Sequence, residues 1–421
     1  MSRLSHLAHG ALCVLLIAAA GHARASDIDA LALESAPVQE RSSAPTRLLI
    51  EAAVGAAEQR YGLGSRSISR LSLDAYSSSG FSEGLRGLIS ARLDTTRPKD
   101  PRVDNPVLSL REAFVGWQDD SASTVLEVGR ISLRNGPAYG FNPTDFLRDG
   151  SLRTVVTVNP LAQRENRLGS VMLRAQRIWA GGGLSLVHSP KLESRSSSRG
   201  VDFDWGATNN RSRGVASFSA RFGERANSQI LLYKEEGRQA QLGFNFTGLL
   251  SDALVAHAEW SRGREPDLLS RALGLQRAEV TGNRGVAGVT YSTAFRLSVT
   301  AELQYNRFAL DRAEWRTLAG SPLDLWAAYH LTVQDRLDIA SRQAVLLYAT
   351  QKSFILGRLD LSGFVKLNRT DDSRMTWLEL RYRLDGLDLA MQWQLNSGRS
   401  EAEFGLNPIK QSIGLLAAAY F

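Results

Sequence analysis

Past residue 25 the sequence holds three histidines, His188, His257 and His330, and histidine is the side chain best suited to acid–base work or metal ligation near neutral pH. None has the His-Glu-x-x-His spacing that sets two imidazoles on one helix face around zinc. His257 and Glu259 stand two residues apart, so on a strand they share a face and could in principle form an acid–base pair. The plainer reading of that pair is a polar wall. Cys13, the single cysteine, lies inside the apolar run Ala11 to Ala20, which leaves the remainder without disulfides, thiol catalysis or cysteine-ligated metal. Gly62-Leu63-Gly64 is turn chemistry rather than a phosphate loop. These residues give no basis for an enzyme, a cofactor or a metal site.

Charge of another kind gathers in 132–167, which contains GFNPTDFLRDG (140–150) and VNPLAQRENR (158–167). Each Asn-Pro favours a turn, which predicts a long loop with local structure of its own. Folded into a wide barrel, this loop would bring Asn142, Asp145, Arg148, Asp149, Arg153, Arg164, Glu165 and Arg167 to a constriction. The alternative is a loop packed over the barrel rim or against a neighbouring subunit.

A loop in that role needs a scaffold with a wet interior. Segment after segment alternates apolar and polar residues with period two. Leu297, Val299, Ala301, Leu303 and Tyr305 share one face, while Ser298, Thr300, Glu302, Gln304 and Asn306 share the other. The same holds at 85–93, 216–222, 240–246, 376–383 and 387–394. Apolar runs stay well below the ~20 residues of a membrane helix, a test that a transmembrane β-barrel escapes because its two faces average out.

Connection lengths read back from the C-terminus alternate as external loops and periplasmic turns do. Residues 396–410 are long, 385–386 tight, 368–373 intermediate, 351–353 tight and 308–340 very long. Then 292–295 is tight, 263–283 long, 250–252 tight, 235–238 short, 223–227 short and 190–214 long. Further back, 179–181 is tight, 132–167 very long, 119–123 short, 95–105 long and 77–80 tight. The short outer connection 235–238 is the exception. The expected fold class is all-β, an antiparallel transmembrane barrel of about eighteen strands over 46–421. Its first segment, LLIEAAVGAAEQ, reads as a strand or a short amphipathic helix, and the helix would lower the count to about sixteen. Arg3, the apolar run and Ala23-Arg24-Ala25 predict a signal peptide over 1–25, followed by a flexible periplasmic segment over 26–45.

By parity Arg86, Arg92, Arg174, Arg221, Arg358, Lys366, Arg381 and Arg383 face the lumen, together with Asp74, Glu259, Glu302, Asp360, Glu379 and Asp388. The small positive excess points to a mild anion preference, while mixed-sign ladders also rigidify a barrel wall. The formal net charge is +7, yet no basic block with interleaved aromatics suggests nucleic acid. Tyr291, Tyr305, Trp260, Tyr382 and Trp393 fall near strand ends on the outward parity, as aromatic girdles do.

Ile413, Leu415, Ala417, Ala419 and Phe421 place a terminal phenylalanine on the lipid-facing parity. With the strand end LEVGR (126–130), the loop motif NPTD (142–145) and the alternating strands, the chain resembles the large monomeric outer-membrane porins that include the alginate-export family. The resemblance implies a passive or gated channel in the outer membrane of a Gram-negative bacterium, carrying hydrophilic solutes, anionic ones or a polysaccharide among them. It also implies surrounding outer-membrane lipid and lipopolysaccharide, and barrel assembly machinery that reads Phe421 as an insertion signal. A closed surface-binding barrel and a barrel-embedded enzyme are the alternatives. Only about twenty residues separate the expected cleavage site from the first strand, too few for the plug of an energised receptor.

Overall fold

Strands with one oily and one wet face lose their unpaired edges only when the sheet closes on itself. The computed structural model, which describes residues 45–100, 103–275 and 279–421, is such a closed sheet of 18 strands. The expected signal peptide over 1–25 and residues 26–44 lie outside the described residues. In chain order the strands are β1 (Thr46–Gln59), β2 (Ser65–Ser82), β3 (Leu85–Arg97), β4 (Val107–Gln118), β5 (Thr124–Ile131), β6 (Ser170–Trp179), β7 (Gly182–Ser189), β8 (Arg213–Phe222) and β9 (Ala226–Glu235). The second half holds β10 (Gln241–Ser251), β11 (Leu254–Glu265), β12 (Val280–Ser292), β13 (Leu297–Asn306), β14 (Gln343–Gln351), β15 (Leu359–Asn368), β16 (Arg374–Leu384), β17 (Leu387–Ser397) and β18 (Ile409–Tyr420).

Each strand pairs antiparallel with its chain neighbours, and β1 closes on β18 from Leu49↔Tyr420 to Gln59↔Ile409. Phe421 completes the seam. Its N–H donates to the Leu48 carbonyl at 2.9 Å and its own carbonyl accepts from Leu48 N–H at 3.1 Å, with the ring outside and 72% exposed. The helical alternative for LLIEAAVGAAEQ, and with it the count of sixteen, is overturned: a helix there would leave β2 and β18 with bare edges. The seam also needs small residues, since a Cβ on Gly55 would stand 2.9 Å from the Gly414 Cα.

Two turns differ from the sequence expectation. β2 runs on to Ser82, so the tight turn lies at 83–84 and not at 77–80, and GFSEG (80–84) becomes a hairpin. Its Gly-x-Ser-x-Gly letters therefore lack the strand-to-helix elbow that exposes a nucleophile. The expected tight turn at 351–353 is the seven-residue connection 352–358, which moves Arg358 out of the barrel wall. There it stands 3.4 Å from Asp385 of the neighbouring turn. On the opposite side, 60–64 joins 236–240 as a short outer connection.

Val54, Val128, Leu173, Leu186, Ile230, Leu303 and Leu415 face outward and are each more than half exposed. An apolar belt this extensive suits hydrocarbon rather than water. Trp117, Trp179, Trp260, Tyr305 and Tyr382 are exposed on the same surface.

At the end with the long connections, the helices α1 (Pro160–Glu165), α2 (Leu268–Ala272), α3 (Arg312–Ala319), α4 (Leu323–Asp335) and α5 (Glu403–Leu406) lie in loops. Asp311 starts α3 with a capping box completed by Glu314, satisfying donors that a helix start leaves orphaned. Leu268, Phe308, Trp315, Leu318, Tyr329 and Val333 then form a small core outside the barrel. Trp315 Nε1 ties it to the Glu401 carbonyl at 2.9 Å, and Arg312 Nε to the Thr370 carbonyl at 2.8 Å.

His330 of α4 packs on Trp326 with ring centroids 4.1 Å apart. Burial, helped by the positive charge of Lys366, pushes its imidazole down from the usual 6.5 to about 4. The neutral ring thus stabilises the folded cap fully above pH 6.5, and about 3 kcal/mol of that stabilisation disappears as pH falls from 6.5 toward 4. Hydrogen-exchange protection of α3 and α4, taken relative to the intrinsic exchange rate at each pH, should fall over that window in the wild type and far less in His330→Phe.

Candidate functional site

A long loop stays inside a water-filled barrel only if the wall offers it apolar surface and polar partners. The wall here interrupts its own polar face with apolar patches, two of them large. Val187, Val215, Leu231 and Tyr233 on β7, β8 and β9 point inward and receive Phe146 and Leu147 of the 132–169 connection. Phe146 lies over Tyr233 with ring centroids 4.7 Å apart and planes 3° from parallel. Leu346, Tyr348, Phe364 and Trp377 on β14, β15 and β16 receive Tyr139, Val158 and Leu161. Leu161 belongs to α1, which Asn159 caps by accepting from Leu161 N–H at 3.1 Å.

Between these patches two wall carboxylates hold the loop. Glu259 of β11 accepts Ala138 N–H at 2.7 Å, Asn142 Nδ2 at 2.8 Å, Thr144 Oγ1 at 3.1 Å and Thr144 N–H at 3.4 Å. Glu302 of β13 accepts Tyr139 N–H at 2.6 Å, Gly140 N–H at 3.0 Å and Gln304 Nε2 at 3.0 Å, with His257 Nε2 also at 3.0 Å. Both carboxylates are buried. A buried carboxylate is tolerated when donors surround it, and charge-assisted hydrogen bonds of this kind are about twice as strong as neutral ones. Two glycines make the approach possible. Gly136 (φ +89°) presses against the Glu259 carboxylate, and Gly288 stands in register between His257 and Glu302, where a Cβ would come within 2.5 Å of His257 Nε2.

The residues expected at a constriction mostly brace the loop. Asn142 donates to Ala138 and Glu259 and accepts from Arg148. Arg167 grips both oxygens of Asp145, and Arg164 donates to the Asn135 and Gly136 carbonyls at 2.8 Å each. Arg148 lies 3.5 Å from Asp338 and donates to the Arg336 carbonyl at 2.7 Å, while Asp149 pairs with Arg336. Asp145, Arg148, Arg164 and Arg167 are buried, so they are internal ties and offer little charge to a solute. Glu165 stays partly exposed at the end of α1. Arg153 turns away from the lumen to the Leu108 and Asp202 carbonyls, at 2.9 and 2.8 Å. Where the loop meets the outer connections, Glu265, Arg284, Arg336 and their neighbours leave a cavity of about 30 Å³, room for water but not for a solute.

Across the interior lies a belt of ion pairs. Arg92 reaches Glu51 at 2.9 Å and Asp94 at 3.0 Å, and Arg111 reaches Asp74 at 2.8 Å. Arg381 reaches Glu379 at 2.9 Å and Asp388 at 3.1 Å, and Arg383 reaches Asp360 at 2.7 Å. The loop touches this belt where Arg70 donates to the Val156 carbonyl at 2.5 Å and Arg111 to Asn166 at 3.3 Å. Nearer the short-turn end, Arg86 and Arg174 share Glu127 at 2.6 and 3.1 Å, and Arg221 is exposed on the inward parity of β8. Lys366 takes the same parity on β15, in register with Leu346.

Sequence reasoning placed Glu302 on the inner face but did not foresee that it and Glu259 receive loop amides. The apolar docking patches were missed too. Their signal is a run without alternation, as in Ile230-Leu231-Leu232-Tyr233 and Val345-Leu346-Leu347-Tyr348. His188, one of the three histidines first considered, is exposed on the outward parity of β7. Among the described residues no group of three or more His, Cys, Asp or Glu is placed to hold a metal ion.

No family model and no curated protein matches the sequence. Similar solved structures are barrels. Acinetobacter baumannii OccAB1 superposes with a TM-score of 0.57 at 10% identity, covering 89% of this chain and 96% of that one. A triple mutant of the Rhodopseudomonas blastica porin gives a TM-score of 0.44 at 10% identity, covering 89% and 100%. The first likeness shows the closed barrel fold.

Glu259→Gln and Glu302→Gln each remove an ionic acceptor worth roughly 1.5–3 kcal/mol. Hydrogen-exchange protection of residues 136–144 should drop on the order of tenfold or more in each variant, with the strands unchanged. Undiminished protection would mean that the apolar patches alone hold the loop.

Proposed function

We propose that the protein is an outer-membrane channel for hydrophilic solutes, with residues 132–169 as its constriction. The observation that carries this reading is a loop pinned by Glu259 and Glu302 inside a closed barrel whose outside is apolar and whose inside is polar. Burying a loop of this length against a wall narrows a passage without sealing it by a separate domain. The route runs past the loop along the part of the belt that it leaves uncovered, on β16, β17 and the seam. His257 is engaged with Glu302, which makes it a brace of the loop and speaks against a hydrolytic role. Removal of 1–25 on export and insertion guided by Phe421 belong to the same proposal.

The belt sets the solute class. Its partly exposed arginines Arg70, Arg111 and Arg381 are interleaved with Glu51, Asp74 and Glu379, so a passing molecule meets both signs in turn. This favours small polar or zwitterionic solutes with at most a mild anion bias. A polyuronate, the cargo suggested by the likeness to alginate-export porins, would find no continuous basic track there.

Planar-bilayer recording of the refolded protein should show ohmic steps with weak ion selectivity. Deleting 140–159 should enlarge single-channel conductance while the barrel still assembles. Unchanged conductance would overturn the constriction, and silence from folded wild type would overturn the channel.

A further inference from the structure

Within the loop 190–212, residues 200–205 lie on the outer face of the barrel wall. Arg130 shows this, because its register with Ala113 and Val171 puts it on the outward parity of Leu126 and Val128. A bare guanidinium in an apolar belt is costly, yet Arg130 is 0% exposed. It donates to the Leu110 carbonyl at 2.9 Å, to the Phe203 carbonyl at 3.3 Å and to the Asp204 carbonyl, and lies 5.4 Å from the Trp205 ring centre. The Gly200 carbonyl accepts from Leu108 N–H at 2.9 Å, on the edge of β4 that lies beyond its pairing with β5.

Residues 201–205 then alternate. Asp202 and Asp204 turn back toward Ser197, while Val201, Phe203 and Trp205 remain 65%, 64% and 40% exposed. These three side chains extend the outward file of Leu126 and Val128 past the end of β5. The surrounding rim is basic: Lys191, Arg195 and Arg199 are exposed in the loop, and Arg97 and His188 lie on the outward parity of β3 and β7, against the exposed carboxylate of Glu193 and that of Asp202, which stands 3.0 Å from Arg199.

We propose that this strip binds the phosphorylated glycolipid of the outer leaflet, lipid A, with acyl chains on Val201, Phe203 and Trp205 and phosphates on Arg195 and Arg199. The inference rests on the outer-membrane reading above. Continuity with the hydrocarbon-facing belt and a cationic rim fit an anionic lipid. A second copy of this chain would bring the same cations against them.

The test is native mass spectrometry of the full refolded chain in detergent, titrated with bisphosphorylated lipid A, its dephosphorylated form and phosphatidylglycerol. The wild type should prefer bisphosphorylated lipid A. Val201→Ser with Phe203→Ser, and separately Arg195→Ala with Arg199→Ala, should weaken that binding on the order of tenfold, with bilayer conductance unchanged. Equal binding by all three proteins, or equal binding of phosphatidylglycerol by the wild type, would overturn the proposal. So would an oligomer that the apolar variant alone dissociates, which would assign the strip to a second copy. The expected lipid pattern from a wild type that never conducts would support the site and overturn the channel reading instead.

Discussion

Two carboxylates buried in the wall organise this molecule. Glu259 and Glu302 reach inward from β11 and β13, and their oxygens are filled by backbone amides and side chains of 136–144 together with His257 and Gln304. A charge taken out of water is expensive unless donors surround it. The loop therefore satisfies the wall as much as the wall holds the loop. Phe146 and Tyr139 fix its flanks on apolar patches, and the arginines of the loop tie it to itself and to the outer connections. Without the two acceptors, the amides of 136–144 would need other partners in a confined space.

Arginine does two jobs in this barrel, and the partners it holds separate them. Arg130, Arg148, Arg164 and Arg167 are buried and hold carbonyls or a single carboxylate. Their planar fork with its row of donors suits such bracing, which a lysine would not perform. Arg70, Arg92, Arg111 and Arg381 form the lumenal belt, each reaching a carboxylate one or two strands away. The excess of arginine over lysine thus reports chiefly on construction.

Alternation and connection length were enough to read the barrel from sequence, because each follows from the need of every strand to separate two solvents. The strand count depended on 46–59, where Ala52, Ala53, Gly55 and Ala56 carry little periodic signal, and only pairing on both edges decides for a strand. The turn at 352–358 was misjudged because Phe354, Ile355 and Leu356 look like strand residues, although Ile355 adopts a φ of +61°. The loop was legible as structured and long. Its charged residues were assigned to solutes because sequence cannot show burial, and the pairing of Arg167 with Asp145 or Arg153 with the Asp202 carbonyl is set by three-dimensional neighbours.

The seam between β1 and β18 has a kinetic corollary. Every other hydrogen-bonded strand pair joins neighbours in the chain, whereas this one joins strands separated by nearly the whole barrel. Closing it requires the largest loop entropy in the fold. Until it forms, β1 and β18 each present an open row of amides and carbonyls, which invites pairing with another chain. The backbone link between Leu48 and Phe421 therefore serves as a latch at the end of assembly, and protection of those two edges is the problem that any helper of folding has to solve.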